Sequence, residues 1–179
     1  MQWIIENKLK RLAKNQSAVN ALNALKAEIK AKRQRYEAIR KAWDTHDKKA
    51  IINLGKTPFF DDENLKFLSG KELFISGDTI ERHRDPNDTS ANTHKEITPF
   101  DYSLISYMFE NNAFLGLFTD KNPQGKFKNY YLNINKLDVY YRLCIEVKGE
   151  IEVKSLLARK TMEILDETKR NKTAIWVKE

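Results

Sequence analysis

A four-residue phrase, Ile-Glu-Val-Lys, occurs at 145–148 and again at 151–154. Strand side chains alternate between the two faces of a sheet, so the glutamate and lysine of each copy would share a face. A carboxylate in such a pair can bind a divalent cation, and the ammonium can stabilise charge that develops on a phosphate. Glu146-Val147-Lys148 is therefore a candidate for metal-dependent cleavage of phosphodiesters.

The surrounding sequence also predicts a plain β-hairpin. Odd positions of 138–147 are apolar and even positions are mostly polar. If this strand and 150–157 share one apolar face, Val147 must oppose Ile151. The connecting loop is then three residues long, 148–150.

This register has an electrostatic consequence on the outer face. It places Glu146 opposite Glu152, and like charges directly opposite each other are unfavourable. Lys148 and Lys154 lie on the same face and would offset the repulsion, as would a bound metal ion. Because alternation alone accounts for Glu146 and Lys148, we interpret the phrase as structural.

The triplet Glu146-Val147-Lys148 resembles the Glu-x-Lys part of the PD-(D/E)xK nuclease motif, and the predicted order of elements is compatible with that family's core. The resemblance implies a metal-dependent nuclease that uses Glu146 and Lys148. The family needs a further carboxylate. Asp138 lies eight residues from Glu146, about 26 Å along a straight strand. Asp120 is the better candidate, but no proline precedes it. The nuclease is our alternative hypothesis.

Aromatic and basic side chains alternate on the neighbouring predicted strands. Such a surface can stack on unpaired bases. The candidate residues are Lys126, Lys128, Tyr131, Tyr140 and Arg142. The alternative is that a predicted helix at 158–169 covers the rings as part of the core.

No cofactor or metal site is predicted. His83 and His94 share a polar stretch, 77–97, with Asp85 and Asp88, but their spacing matches no established ligand pattern. We interpret 77–97 as a solvated loop without an element of its own. The sequence contains no glycine-rich phosphate-binding fingerprint and no nucleophile-elbow serine.

The N-terminal region, 1–55, is predicted to be one long helix. No glycine or proline occurs between residues 2 and 54. Apolar residues recur every seven positions at Leu22, Ile29, Tyr36, Trp43 and Ala50, with Ala18, Leu25 and Ile39 between them, and Lys32 and His46 interrupt the second row. This seam favours a coiled coil. The alternative is two or three helices that break near residues 15–17 and pack onto the following domain.

Positive charge is concentrated on this region. The chain has a formal net charge of +7, yet residues 8–49 hold 13 Lys/Arg against 4 Asp/Glu, a net of +9. The candidate phosphate-binding residues here are Lys26, Lys30, Arg33, Arg40 and Lys41. In an antiparallel dimer the basic residues that flank the seam would face each other. In a parallel dimer Glu28 would meet Arg33 of the other helix, although Arg35 would meet Arg40, so parallel pairing is the less unfavourable arrangement.

Residues 56–179 predict an α+β domain with a mainly antiparallel sheet and two helices, since the links between strands are short. Strands are expected at 71–76, 113–119, 126–134, 138–147, 150–157 and 173–178, and Thr98 is expected to cap a helix over 98–112. The single cysteine, Cys144, suits a reducing compartment, and no apolar run is long enough to span a membrane.

These features together predict a cytoplasmic, non-catalytic homodimer that associates with DNA or RNA through a basic coiled coil. The alternatives are the metal-dependent nuclease and an assembly or adaptor protein whose coiled coil binds a partner chain.

Overall fold

A computed structural model describes residues 2–84, 97–110, 113–119, 129–136, 139–159 and 174–177 of the chain. The chain divides into two compact units, Met1–Gln34 and Arg35–Glu179. The first helix contributes to both, because its last residues, 35–45, belong to the second unit.

Helix α1 spans Gln2–Thr45, so the prediction that it continues to about residue 54 is wrong. His46 has a φ of 55°, a left-handed conformation that ends the helix. The following residues form strand β1, Ile51–Lys56. Ile52 and Leu54 point into the core, and the β-branched isoleucines favour extended backbone.

Seven strands form one sheet in the order β1-β2-β6-β5-β4-β3-β7. The remaining six are β2 Glu72–Ser76, β3 Phe114–Thr119, β4 Asn129–Lys136, β5 Val139–Val147, β6 Ile151–Arg159 and β7 Ala174–Val177. Every pairing is antiparallel except that of β2 with β6. The predicted α+β class with a mainly antiparallel sheet is confirmed.

Among the described residues, three short α-helices follow β1 and β2: α2 Gly77–Arg84, α3 Pro99–Ser103 and α4 Ile105–Glu110. The predicted start at Thr98 is confirmed, since its backbone N–H donates to Asp101 Oδ2 at 2.8 Å in a capping box. The loop prediction for 77–97 is wrong over α2, and residues 85–96 lie outside the described part.

The core lies between one face of the sheet and the helices. It includes Ile39 of α1, Ile80 of α2 and Met108 of α4, together with sheet residues such as Leu143 and Val153. The helix predicted from residue 158 begins too early, because Ala158 belongs to β6. The rest of that prediction, 160–169, lies outside the described residues.

The β5–β6 hairpin has the predicted register. Val147 pairs with Ile151, Glu146 with Glu152, and Ile145 with Val153. The register then shifts by one residue, so that Cys144 pairs with Ser155 and Lys154 forms a β-bulge.

Candidate functional site

Helix α1 carries a row of exposed basic residues, which the exposed Glu37 interrupts. Its five predicted phosphate-binding residues, Lys26, Lys30, Arg33, Arg40 and Lys41, are all exposed. At 3.6 residues per turn they fall within an arc of about 100°, and at 1.5 Å per residue they extend over about 22 Å. We call this surface the basic arc.

Ion pairing neutralises the basic arc only in part. Arg40 Nε lies 3.4 Å from Asp44 Oδ2, but both side chains are more than half exposed, so this pair holds little energy. Lys26, Lys30 and Lys41 form no salt bridge with any residue that the structure describes. Their ammonium groups are therefore available to an anionic partner.

An apolar row lies next to the basic arc on the same helix. Leu22, Leu25 and Ile29 are 50%, 51% and 58% exposed, and Val19 is 49% exposed. Leu22, Leu25 and Ile29, together with Ala18, belong to the predicted heptad seam, and we call these four residues the free seam. Large apolar side chains at helical spacing gain free energy when a partner covers them.

The C-terminal part of the predicted seam packs onto the domain instead of being exposed. Ile39 is 0% exposed and Ala42 is 5% exposed, and both belong to the core of the second unit. Arg35 Nη1 donates to Ser106 Oγ at 3.3 Å. From Arg35 onward α1 therefore packs onto the domain, as the alternative interpretation expected. The break near residues 15–17 that this interpretation also expected is wrong, since α1 is one helix over Gln2–Thr45, and Ala50 lies beyond its end.

The second predicted surface is on β4 and β5. Tyr131, Tyr140 and Arg142 share one sheet face and are half-buried. Arg142 Nε donates to Oδ1 of Asn133, which is fully buried. Lys126 and Lys128 lie outside the described residues. The described part of this face therefore carries two half-buried tyrosines rather than a fully open platform.

The repeated phrase forms an ion-pair cluster of Glu146, Lys148, Glu152 and Lys154. Glu146 Oε2 lies 3.1 Å from Lys148 Nζ and 3.2 Å from Lys154 Nζ. Lys154 Nζ also lies 2.8 Å from Glu152 Oε2. Among described residues no donor aligns with Glu146 Oε2 as in a directed hydrogen bond, so its contacts with the lysines are ion pairs. The lysines offset the glutamate repulsion as predicted.

The pKa values follow this arrangement. Burial alone would raise the pKa of Glu146, but Lys148 and Lys154 outweigh it and hold that pKa below its ordinary value. Burial would likewise lower the pKa of Lys154, yet Glu152 and Glu146 raise it. Both shifts favour the charged forms of Glu146 and Lys154, which lie 3.2 Å apart and compensate each other.

The cluster borders a pocket of about 350 Å³ that Phe74 and Gly149 also line. No group of three or more potential metal-ligating side chains occurs within the described ranges of the chain. Any cation that entered beside Glu146 would meet two ammonium groups within ion-pair distance of the same carboxylate oxygen. The geometry suits a structural role.

The loop at 58–62 and strand β7 form a pocket that the sequence did not predict. Its lining includes Phe59, Asp61 and Trp176. The adjacent letters Phe-Phe-Asp-Asp at 59–62 were the only local signal, and the tryptophan is more than 100 positions away in the sequence.

No protein-family model, curated protein or solved structure matches this chain. Within the described residues, no helix has the length and apolar character required to cross a bilayer.

Proposed function

We propose that this protein is a non-catalytic, nucleic-acid-associated protein that dimerises through helix α1. The observation that carries the proposal is the position of the exposed basic arc beside the exposed free seam on one helix. A second helix that covers the seam leaves the adjacent cations at the surface of the pair.

The charge distribution supports nucleic acid as the ligand. Residues 8–49 carry a net +9, whereas the rest of the chain has 19 Lys/Arg and 21 Asp/Glu. The basic arc extends over about 22 Å, close to the axial rise of six base pairs at about 3.4 Å each. Lysine and arginine contacts to phosphates give affinity that depends on salt and little on sequence.

The free seam supports a second copy of the chain as the dimerisation partner. In a parallel arrangement Glu28 of one helix would approach Arg33 of the other, which adds an attractive pair beside the seam. The free seam runs only from Ala18 to Ile29, because Ile39 is buried in the core of the second unit. Upstream, Ile5, Leu12 and Val19 continue a seven-residue spacing in a shifted register.

The ion pairs of Glu146 support a non-catalytic role over the nuclease alternative. Alternation places Glu146 and Lys148 on one face, and Lys154 forms ion pairs with both Glu146 and Glu152. The triplet therefore has a complete structural explanation within the hairpin.

The proposal predicts that the protein binds DNA or RNA through the basic arc and that the affinity falls as the salt concentration rises. Changing Lys26, Arg33 and Arg40 to Gln should weaken binding of a fluorescent oligonucleotide in anisotropy titrations. Each lost phosphate contact should reduce the slope of log K against log salt by about 0.7 to 0.9.

The matched control changes Lys56, Lys66 and Arg82 to Gln, which removes three exposed charges outside α1. This variant should keep the wild-type slope. Absence of binding by the wild type at about 50 mM salt would reject the proposal. Cleavage of DNA or RNA in Mg²⁺ or Mn²⁺ that both Glu146→Gln and Lys148→Ala abolish, with folding preserved, would favour the nuclease instead.

A further inference from the structure

The pocket formed by the loop at 58–62 and β7 has a rigid aromatic floor. Its volume is about 260 Å³. Phe60 is 8% exposed and Phe109 is fully buried. Both rings pack against Phe114, with centroids 6.0 and 5.1 Å away. The floor therefore belongs to the core and does not depend on a ligand for its position.

Two further aromatic rings line this pocket. Phe59 is 86% exposed, yet it lies over Gly70, where a Cβ would come within 3.1 Å of its Cζ. The indole N–H of Trp176 donates to Asp62 Oδ2 at 2.7 Å. The hydrogen bond to Asp62 fixes the Trp176 ring at the pocket, whereas Phe59 lies beside Gly70 and gains little free energy of burial, because it is largely exposed.

The pocket is also acidic. Asp61, Asp62 and Glu110 line it, and no lysine or arginine does among the residues that the structure describes. Asp62 is engaged by Trp176 and by the backbone N–H of Asn64 at 2.9 Å. The Asp61 carboxylate makes no hydrogen bond or salt bridge within the described part of the chain. A protein of net charge +7 thus carries a local site of opposite sign.

We propose that this aromatic–acidic pocket binds a cationic side chain of a partner polypeptide. The faces of aromatic rings attract ammonium and guanidinium groups, and neighbouring carboxylates select charged over neutral groups. A volume of about 260 Å³ lies below the range of drug-sized ligand sites, which suits one lysine, methylated lysine or arginine side chain. The peptide backbone would remain outside.

This proposal is independent of nucleic-acid binding. Three carboxylates repel phosphate groups, so the pocket takes a different class of ligand from that of the basic arc. The two activities are separable by substitution, because no residue that lines the pocket belongs to helix α1, which carries the basic arc.

The full chain is titrated with short capped Gly-Ser peptides that carry one central lysine, trimethyllysine or arginine. Binding is measured from the chemical-shift changes in NMR spectra. Matched peptides carry norleucine or citrulline, which keep the shape and remove the charge. At least one cationic peptide should bind about threefold to thirtyfold more tightly than its neutral match. Equal binding of the neutral peptides, or no saturable binding up to about 10 mM, would overturn the proposal.

Variants assign the binding to this pocket. Phe59→Ala and Asp61→Asn should each weaken binding of the cationic peptide, by about threefold or more. Phe100→Ala removes another exposed phenylalanine, 54% accessible and outside the pocket, and should bind as the wild type does. Glu63→Gln is the matched charge control. Unchanged binding by Phe59→Ala with an unchanged melting temperature would refute the site.

A further experiment distinguishes a polypeptide from a single amino acid as the source of the cationic group. A capped single lysine or arginine should bind more weakly than the peptide, because it lacks contacts outside the pocket. Equal affinity would refute the assignment to a polypeptide. DNA and RNA binding should be unaffected by the pocket variants, so this proposal and the proposed function can fail separately.

Discussion

At the scale of single residues, the β5–β6 hairpin shows how the repulsion between two opposed glutamates is offset. Glu146 and Glu152 face each other across the strands, and Lys154 contacts both carboxylates. The lysine reaches them from a β-bulge, which adds one residue to β6. Alternation alone suggests that removing the charge of Glu146 would relieve repulsion and stabilise the protein. Because Glu146 forms ion pairs with two lysines, we expect its removal to destabilise the protein instead.

Glu146→Gln should therefore destabilise the protein by about 1 kcal/mol near neutral pH, since it removes a nearly buried partner of two lysines. The expected loss appears as a lower urea midpoint with an unchanged slope. Because the folded state lowers the pKa of Glu146, the wild type holds this stability above the unfolded pKa, about 4.3.

The difference in stability between Glu146→Gln and the wild type should shrink as pH falls from the unfolded pKa to the folded pKa of Glu146, because below the folded pKa the carboxyl group is protonated in both states. The pKa of Lys154 is raised, so its own contribution persists through neutral pH and is lost only in strong base. A variant that is more stable than the wild type at about pH 7 would contradict the ion-pair explanation.

At the scale of elements, the junction between β2 and α2 depends on one glycine. A Cβ at Gly77 would lie 1.8 Å from Asp47 O, which is a backbone atom. The Gly77 N–H also donates to Ala50 O at 2.7 Å. The segment after α1 therefore passes directly over the start of α2.

Gly77→Ala should cost about 2 to 4 kcal/mol, because the backbone must separate to admit the methyl group. Gly149→Ala is the control, since a Cβ there meets no atom within 4 Å. Chemical denaturation of both variants measures the effect. Equal stability of the two would show that the Asp47 carbonyl can move freely.

Helix α1 has two segments with different roles. In the free seam, Leu25→Asp together with Ile29→Asp should abolish dimerisation, because charges would then lie in the apolar contact. Light scattering at tens of micromolar measures the mass. Asn20→Asp with Ala27→Asp, on another face of the helix, should leave the dimer intact. A monomeric wild type would refute the coiled coil.

At the scale of the whole molecule, the compact unit begins inside α1 rather than after it. A chain that starts at Arg35 should unfold cooperatively with nearly the wild-type melting temperature. A chain that starts at His46 loses fully buried Ile39 and nearly buried Ala42, and should lose about 4 kcal/mol or more. Thermal melts followed by circular dichroism measure both. Similar melts for the two chains would contradict the role of Ile39.

The sequence by itself determined the features that depend on local periodicity. Short apolar stretches predicted strands β2 to β7 to within a few residues, and alternation of apolar residues set the hairpin register through Val147 and Ile151. The dipeptide Thr98-Pro99 located the start of α3, because a capping side chain and proline act on adjacent backbone groups. The proposed roles of the basic arc and of the tyrosines on β4 and β5 remain predictions.

Only the tertiary structure decided which apolar residues of α1 face a core. Leu25 and Ile39 occupy equivalent heptad positions, yet one is half exposed and the other fully buried. Ile51 and Ile52 lie in a stretch free of glycine and proline, but pairing with β2 makes them strand. The aromatic–acidic pocket joins Asp62 to Trp176 across a separation of 114 residues. Such outcomes depend on contacts between distant segments, which local patterns do not encode.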